Sequence, residues 1–270
     1  MDEKILTENG IDLKGSLELL GDIETYKSVM SDFLESFATK YDRIQRYKEN
    51  SDMTNYSIEL HSLKSDAKYL GYTKLAELSE IGELASRENN IEKVNENHDT
   101  LIKELERVRE VSSEFLEKNK SNGIAISVES DAVDSIVTSP SDKKIVLIAD
   151  DSSIIRDFIK EAFNEEYEVI GLSNGKEVEN IISMYSDKIA VLLLDLNMPS
   201  VDGFEVLDYF KNRDLFKKIP VSIITGNNDK DTINKAFNYP ISSMLNKPFN
   251  KKDVVDIVKR IIEENKSVAA

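Results

Sequence analysis

The sequence predicts two domains of different fold class, a helical bundle followed by a doubly wound α/β domain. Up to about residue 120 the apolar residues recur at helical spacing, and from Lys143 short apolar runs alternate with helical stretches. The length agrees, since 270 residues are nearly twice a typical domain of roughly 150. We divide the chain into an all-α bundle over 1–118, a flexible linker over 119–142, which is rich in Ser and Asp, and an α/β domain over 143–270.

The first domain shows five helical stretches and no strand signal. We predict a short helix that Gly21 ends, a long one that Asp22 caps and that runs to about Lys48, and three more over roughly 53–69, 73–86 and 91–116. In the fourth, the apolar residues Leu75, Leu78, Ile81 and Leu84 are spaced by three. Five helices with short breaks predict an antiparallel bundle.

The second domain shows five apolar runs, each followed by a helical stretch. The runs are IVLIA, YEVIGL, IAVLLL, IPVSIIT and ISSML. This alternation predicts a parallel sheet with helices on both faces and the strand order 2-1-3-4-5. In such a fold, ligands bind at the carboxyl ends of the strands.

Composition excludes several classes of function. The chain has 51 acidic and 35 basic residues and a net charge of -16, which disfavours nucleic acid and anionic membrane surfaces as partners. It has no cysteine, which excludes disulfides, thiolate metal sites and Cys nucleophiles. Neither a signal peptide nor a run of about 20 apolar residues is evident, so we expect a cytoplasmic protein without membrane insertion.

Polar residues at the predicted strand ends form a candidate site. Asp150 and Asp151 follow the first strand, Asp195 the third and Thr225 the fourth, while Lys247 follows the fifth. Three carboxylates in one pocket repel each other and call for a cation, for which Mg²⁺ is the natural choice. A nearby ammonium and hydroxyl suit a phosphoryl group, so these residues predict a Mg²⁺-assisted phosphoryl site with Asp195 as the nucleophile. Taken singly, Asp151 is equally well explained as a helix cap.

The strings IVLIADDSSIIRDFI, VLLLDLNMPSVDGFEVL, VSIITG and LNKPF resemble, in order and spacing, the receiver domain of two-component response regulators. The resemblance spans roughly residues 143–266 and implies a flavodoxin-like fold. It also implies that the domain catalyses its own phosphorylation from a phosphohistidine donor and its own dephosphorylation. It implies that Asp195 is the phosphoacceptor and that Asp151, Asp195 and the Asn197 carbonyl bind Mg²⁺ directly, while Asp150 helps to hold the ion through water or hydrogen bonds. It also implies that Thr225 and Lys247 contact the phosphoryl oxygens and that the Lys247-Pro248 bond is cis. Met244 departs from the family's usual Tyr or Phe, which places the Thr–aromatic switch in doubt.

His61 lies in the string HSLKSDAKYLG of the third predicted helix. His61, Lys64, Ser65 and Lys68 recur on one helical face, where we expect an exposed imidazole with an ammonium one turn away. The string resembles the histidine-containing phosphotransfer (HPt) motif, H-x-L-K-G followed by a glycine, here Gly71, and the similarity spans roughly residues 10–117.

The HPt resemblance implies that His61 carries a phosphoryl group, supported by Lys64, Ser65 and Gly71. Ser65 replaces the usual glycine, so a degenerate HPt domain is the alternative. His98 matches no motif, and we interpret it as a solvated surface residue.

Together the two resemblances predict an HPt–receiver fusion of a His–Asp phosphorelay, without a kinase domain of its own. The expected partners are a histidine kinase, receiver domains of the relay, or both, and a downstream protein. The alternative is a phosphorylation-gated interaction protein, or a phosphate sink, in which only Asp195 is phosphorylated and the bundle serves as a docking module.

Overall fold

The computed structural model describes residues 3–120, 143–163, 165–226 and 230–268. The bundle helices are α1 (Lys4–Glu8), α2 (Leu13–Leu20), α3 (Ile23–Glu49), α4 (Met53–Tyr69), α5 (Thr73–Arg87) and α6 (Ile91–Lys120). The second domain contains β1 (Ile145–Ala149), α7 (Ser153–Phe163), β2 (Glu168–Leu172), α8 (Gly175–Tyr185), β3 (Ile189–Asp195), α9 (Gly203–Asn212), β4 (Val221–Thr225), α10 (Lys230–Ala236), β5 (Ser243–Asn246) and α11 (Lys251–Val268). Nearly all of the linker predicted over 119–142 lies outside the described residues.

The bundle contains the five predicted helices and one short additional helix, α1. Asp22 caps α3 as predicted, since its side chain accepts hydrogen bonds from the backbone N–H groups of Glu24 and Thr25. The expected apolar stripe of α5 is partly wrong, because Ile81 and Leu84 are exposed. A face of small and polar residues on the same helix is buried against the neighbouring helices instead; it consists of Ser79, Gly82, Glu83 and Ser86.

The second domain confirms the predicted fold class. Its five strands form one sheet in the order β2-β1-β3-β4-β5, and every neighbouring pair is parallel. All residues of β1 and β4 are buried, as expected for strands with helices on both faces. The carboxyl ends of β1, β3 and β4 therefore meet at one edge of the sheet.

The bundle packs directly on the second domain. Helix α7 lies between the sheet and the bundle, and its apolar residues on both sides, Ile154, Ile155, Phe158 and Ile159, are buried. The ring of Tyr69 on α4 lies 5.9 Å from that of Phe158 and 6.0 Å from that of Phe249, measured between centroids. One hydrophobic cluster thus continues from the bundle into the second domain.

The interpretation of His98 as a solvated residue is wrong. His98 is only 3% exposed, and its Nδ1 and Nε2 are hydrogen-bonded to Tyr56 Oη at 3.0 Å and Gln45 Oε1 at 2.9 Å. Polar neighbours in the sequence hid the fact that this position of α6 faces α3 and α4. Burial lowers the pKa of His98, so the neutral imidazole is the form that this site favours.

Within the described ranges, none of the helices combines the length and hydropathy that crossing a bilayer requires.

Candidate functional site

The structure brings the three predicted carboxylates together. Asp150 and Asp195 are fully buried, and one ligand atom from each of Asp150, Asp151 and Asp195 lies within 4.8 Å of the others. The Lys247 Nζ lies 2.7 Å from Asp150 Oδ2 and 2.5 Å from Asp195 Oδ2. The Lys247-Pro248 peptide bond is cis, as the resemblance implied.

Burial raises the pKa of Asp150 to about 6 and that of Asp151 well above its usual value. The neighbouring carboxylates raise both pKa values further, while the ammonium of Lys247 lowers them. One ammonium therefore compensates three carboxylates only in part. A set of hard oxygen donors with uncompensated negative charge fits Mg²⁺.

The remaining predicted pocket residues lie around this cluster. The Asn197 backbone N–H donates to Asp195 Oδ1 at 3.1 Å, and Thr225 is buried at the end of β4, where its carbonyl accepts from the Lys247 N–H at 2.8 Å. Met244 lies on β5 opposite Ile223, where it packs against the apolar cluster on one side of the sheet.

The start of α7 favours a ligand role for Asp151 over a capping role. The Ser152 hydroxyl accepts a hydrogen bond from the Ile155 N–H at 3.3 Å, as an N-cap side chain does. Asp150 Oδ1 accepts from the Ser152 N–H at 3.0 Å. The Asp151 carboxylate therefore need not satisfy the first turn of the helix.

His61 is buried, contrary to the expectation of an exposed imidazole. Only 2% of the residue is accessible, because Asn197 and Gly226 of the second domain lie on one side of the ring and Glu83 of α5 on the other. Its Nδ1 lies 2.8 Å from Glu83 Oε1, and Lys64 Nζ and an Arg87 guanidinium nitrogen contact the same carboxylate at 2.6 and 2.7 Å. Lys64 thus extends to Glu83, a contact that the sequence did not predict.

The environment of Glu83 keeps it ionised. Burial alone would raise the pKa of this carboxyl, but the hydrogen bond and charge of His61 and the charge of Lys64 lower it to about 2. An ionised carboxylate only accepts hydrogen bonds, so Nδ1 of His61 donates to Glu83, and in the neutral form of the ring Nε2 carries the lone pair. This tautomer is assigned from the hydrogen-bond network.

The free nitrogen of His61 faces the second domain. Its Nε2 lies 3.5 Å from the Asn197 side-chain nitrogen, a donor that matches a lone pair on Nε2. A methyl group on Gly226, the residue after Thr225, would lie 3.6 Å from His61 Cε1 and 3.7 Å from Nε2. The imidazole therefore lies against Asn197 and Gly226, which follow the pocket residues Asp195 and Thr225 in the chain.

Ser65 and Gly71, two further residues of the HPt motif, are packed inside the bundle. Ser65 is buried one turn beyond His61. Gly71 has a φ of +73°, and a Cβ there would collide with the carbonyl oxygen of Asp12, whose own N–H donates to the Gly71 carbonyl at 3.0 Å. The glycine after α4 thus allows α2 to approach closely.

Sequence reasoning missed Lys40, Asp66 and Tyr69 near the boundary of the two domains, and Glu83 beside His61 within the bundle. In the sequence, the charged residues could not be told apart from ordinary solvated residues, or the tyrosine from an ordinary core residue. One available signal for Glu83 was the row of small residues around it on α5, since small residues mark a face of close helix packing.

A parallel sheet with an aspartate pocket at its edge, covered by a bundle that presents a histidine, defines the class of two-component signalling proteins. The profile of the response regulator receiver domain matches residues 146–259, and that of the Hpt domain matches residues 28–111. The chain belongs to the response regulator receiver family and carries an Hpt domain as well. The two domains together make it a protein of the two-component phosphorelay class.

Three curated relatives illustrate the similarity. The chain is 30% identical over 118 residues to sporulation initiation phosphotransferase F of Bacillus subtilis, covering 43% of this chain and 92% of that protein. It is 30% identical to the probable methanogenesis regulatory protein FilR2 of Methanothrix harundinacea, covering 46% and 83%. It is 32% identical to the transcriptional regulatory protein CrdR of Helicobacter pylori, of which it spans only 56% while 46% of this chain is covered.

Proposed function

We propose that this protein carries phosphoryl groups on His61 and Asp195 and passes them between these two residues of one chain. The observation that carries the proposal is the position of His61, whose Nε2 faces the loops that follow β3 and β4. A relative that covers the second domain is called a phosphotransferase, which agrees with a transfer role. A histidine kinase, or another receiver of the relay, would load one of the two residues from outside.

His61 is prepared for nucleophilic chemistry by Glu83. The carboxylate holds the proton on Nδ1 and fixes the orientation of the ring, so that the lone pair on Nε2 is available to a phosphorus atom. Lys64 and Arg87 hold the carboxylate in turn. All three partners belong to the bundle, so the nucleophile is oriented within its own domain.

The transfer balances without moving a proton. In the direction from histidine to aspartate, the bond between Nε2 and phosphorus breaks and a bond between an Asp195 carboxylate oxygen and the same phosphorus forms. The electron pair of the broken bond returns to Nε2, and the imidazole leaves as the neutral ring with its proton still on Nδ1. The reverse direction follows the same path, with Nε2 as the nucleophile and the carboxylate as the leaving group.

The pocket residues orient the acceptor. Lys247 and the Asn197 N–H hold the Asp195 carboxylate, and we assign Lys247 and the Thr225 hydroxyl to the phosphoryl oxygens. A Mg²⁺ ion held by Asp150, Asp151, Asp195 and the Asn197 carbonyl would supply charge neutralisation for the crowded oxygens. Met244 lacks the aromatic ring of the usual switch, so we expect signalling to other proteins to use contacts of the bundle as well as of the second domain.

The experiment follows one label through three proteins. The wild type, His61→Gln and Asp195→Asn are incubated with a phosphorylated kinase or receiver and, separately, with acetyl phosphate. We expect base-stable label on histidine and base-labile label on aspartate in the wild type, no histidine label in His61→Gln and no aspartate label in Asp195→Asn. If His61→Gln exchanges label as the wild type does, the relay is wrong, and the bundle is a docking module for a receiver that switches or drains phosphate.

A further inference from the structure

Two contacts join α4 to the second domain close to the proposed site of phosphoryl transfer. We propose that Asp66 and Tyr69 are the residues that select the receiver of the same chain as the partner of His61. The inference rests on the proposed function, because it concerns which carboxylate receives the phosphoryl group. Both are positioning residues, since their contacts are with the interface rather than with the reacting atoms.

Asp66 binds the first turn of α7. It is fully buried, and the Ser152 hydroxyl donates to its Oδ1 at 2.5 Å across the domain boundary. Lys40 of α3, itself buried, lies 2.9 Å from Oδ2. A buried carboxylate is costly unless donors surround it, so a receiver without a hydroxyl at this position would leave Asp66 short of one. The contact therefore discriminates between receivers by penalising a mismatch.

Tyr69 binds the backbone after the cis proline. Its hydroxyl donates to the Phe249 carbonyl at 3.3 Å and accepts from the Phe249 N–H at 3.1 Å. The ring packs on Phe158 and Phe249, and its exposed fraction is zero. Tyr69 bonds both backbone groups of Phe249. A receiver can therefore make this contact only if its loop after Lys247 follows the same path.

The two contacts fix the position of His61 relative to the second domain. Asp66 and Tyr69 follow His61 by five and eight residues on the same helix, about 7.5 and 12 Å along its axis. Because α4 is rigid, anchoring it at Asp66 and Tyr69 also holds the imidazole in place, against Gly226 and Asn197. Asp66 and Tyr69 lie between the specified positions of the HPt motif, so a bundle can keep the motif and still lack the two residues that select this receiver.

A double-mutant cycle tests the Asp66 contact on the full-length protein. Acetyl phosphate labels Asp195, and the rate at which base-stable label appears on His61 is measured in wild type, Asp66→Asn, Ser152→Ala and the double variant. We expect each single variant to be slowed about tenfold and the double variant also about tenfold, because Asp66→Asn removes the charge that strengthens the hydrogen bond from the Ser152 hydroxyl and Ser152→Ala removes the donor of the same bond. Slowing by about a hundredfold in the double variant, or none in the single variants, would overturn the proposal.

A second readout separates partner selection from damage to the receiver. Initial labelling of Asp195 by acetyl phosphate does not use the bundle, so Asp66→Asn should keep it at the wild-type rate or above. If Asp66→Asn slowed the labelling of Asp195 as much as it slows transfer to His61, the proposal would be contradicted.

The Tyr69 contact is tested by hydrogen exchange and by the same transfer assay. Tyr69→Phe keeps the ring but removes the hydroxyl, so the Phe249 amide should exchange faster and transfer should slow. The matched control is Tyr72→Phe, another buried tyrosine, whose hydroxyl is bonded within the bundle to Ser112 at 2.6 Å; it should leave the Phe249 amide unchanged. Equal effects of the two variants on that amide would contradict the proposal.

The outcomes also separate this inference from the proposed function. If the wild type passes no label between Asp195 and His61, both fail, and faster exchange in Tyr69→Phe then shows a docking contact without a relay. If the wild type transfers and the variants transfer equally well, only the selection by Asp66 and Tyr69 fails.

Discussion

The Glu83 carboxylate accepts a hydrogen bond from Nδ1 of His61 at 2.8 Å, which leaves Nε2 as the nitrogen that faces the second domain. We predict that Glu83→Gln slows transfer between His61 and Asp195 by about 10- to 100-fold, as loss of other imidazole-orienting partners does. Single-turnover labelling measures this rate. Glu77→Gln, at an exposed position of the same helix, is the control; an equal loss there would contradict the role of Glu83.

Gly226 leaves space for the imidazole. A methyl group at this position would be in ordinary contact with the His61 ring, at 3.6 Å from Cε1, so Gly226→Ala should transfer at close to the wild-type rate. A leucine would occupy the position of the ring, and we predict at least about a hundredfold loss, because a displacement of about 1 Å is enough for that. Equal rates in Gly226→Ala and Gly226→Leu would mean that His61 does not react from this position.

Asp32 makes the packing of α3 on α7 sensitive to pH. Burial, helped by Asp157 and Glu35 and opposed by Lys160, raises the pKa of Asp32 to about 7 in the folded protein. The folded state then holds a proton that the unfolded state releases near pH 4, so the stability from this group is lost as pH rises from about 4 through about 7. We predict that Asp32→Asn gains melting temperature over the wild type at pH 8 but not at pH 4.

Thermal melts of both proteins across that pH range measure the difference. Asp42→Asn removes one negative charge from an exposed position of the same helix and serves as the control, since Asp42 does not contribute to the pKa of Asp32. A difference between Asp32→Asn and wild type that is constant with pH would contradict this explanation.

The carboxylate pocket predicts opposite effects of one substitution with and without metal. In metal-free buffer Asp151→Asn should raise the melting temperature, because it removes a charge from a cluster that burial and repulsion disfavour. At saturating Mg²⁺ the wild type should gain about 5 °C and the variant should gain little. Asp42→Asn, at an exposed position of α3, is the control for charge. Equal gains in wild type and Asp151→Asn would contradict the ligand assignment.

The second domain was largely predictable because its signals are local. Each strand is a short apolar run, and parallel order places Asp150, Asp195, Thr225 and Lys247 at one edge without knowledge of any long-range contact. Even the cis bond before Pro248 followed from the resemblance.

The environment of His61 was not predictable from its helix. Its exposure depends on how two domains pack, and no local pattern encodes that arrangement. The burial of Ser79 and Gly82 in place of Ile81 and Leu84 has the same origin, since close packing of α5 on its neighbours requires small side chains more than apolar ones. The error at His98 arose in the same way, because its buried partners Tyr56 and Gln45 lie far away in the sequence.

The central claim is that His61 and Asp195 exchange a phosphoryl group within one chain. The direct measurement is the rate of transfer after rapid labelling of Asp195, recorded over a hundredfold range of protein concentration. Intramolecular transfer predicts a rate constant that does not change with concentration, together with no transfer when Asp195→Asn and His61→Gln chains are mixed at the lowest concentration. A rate that rises in proportion to concentration, with full transfer between the mixed chains, would contradict the claim.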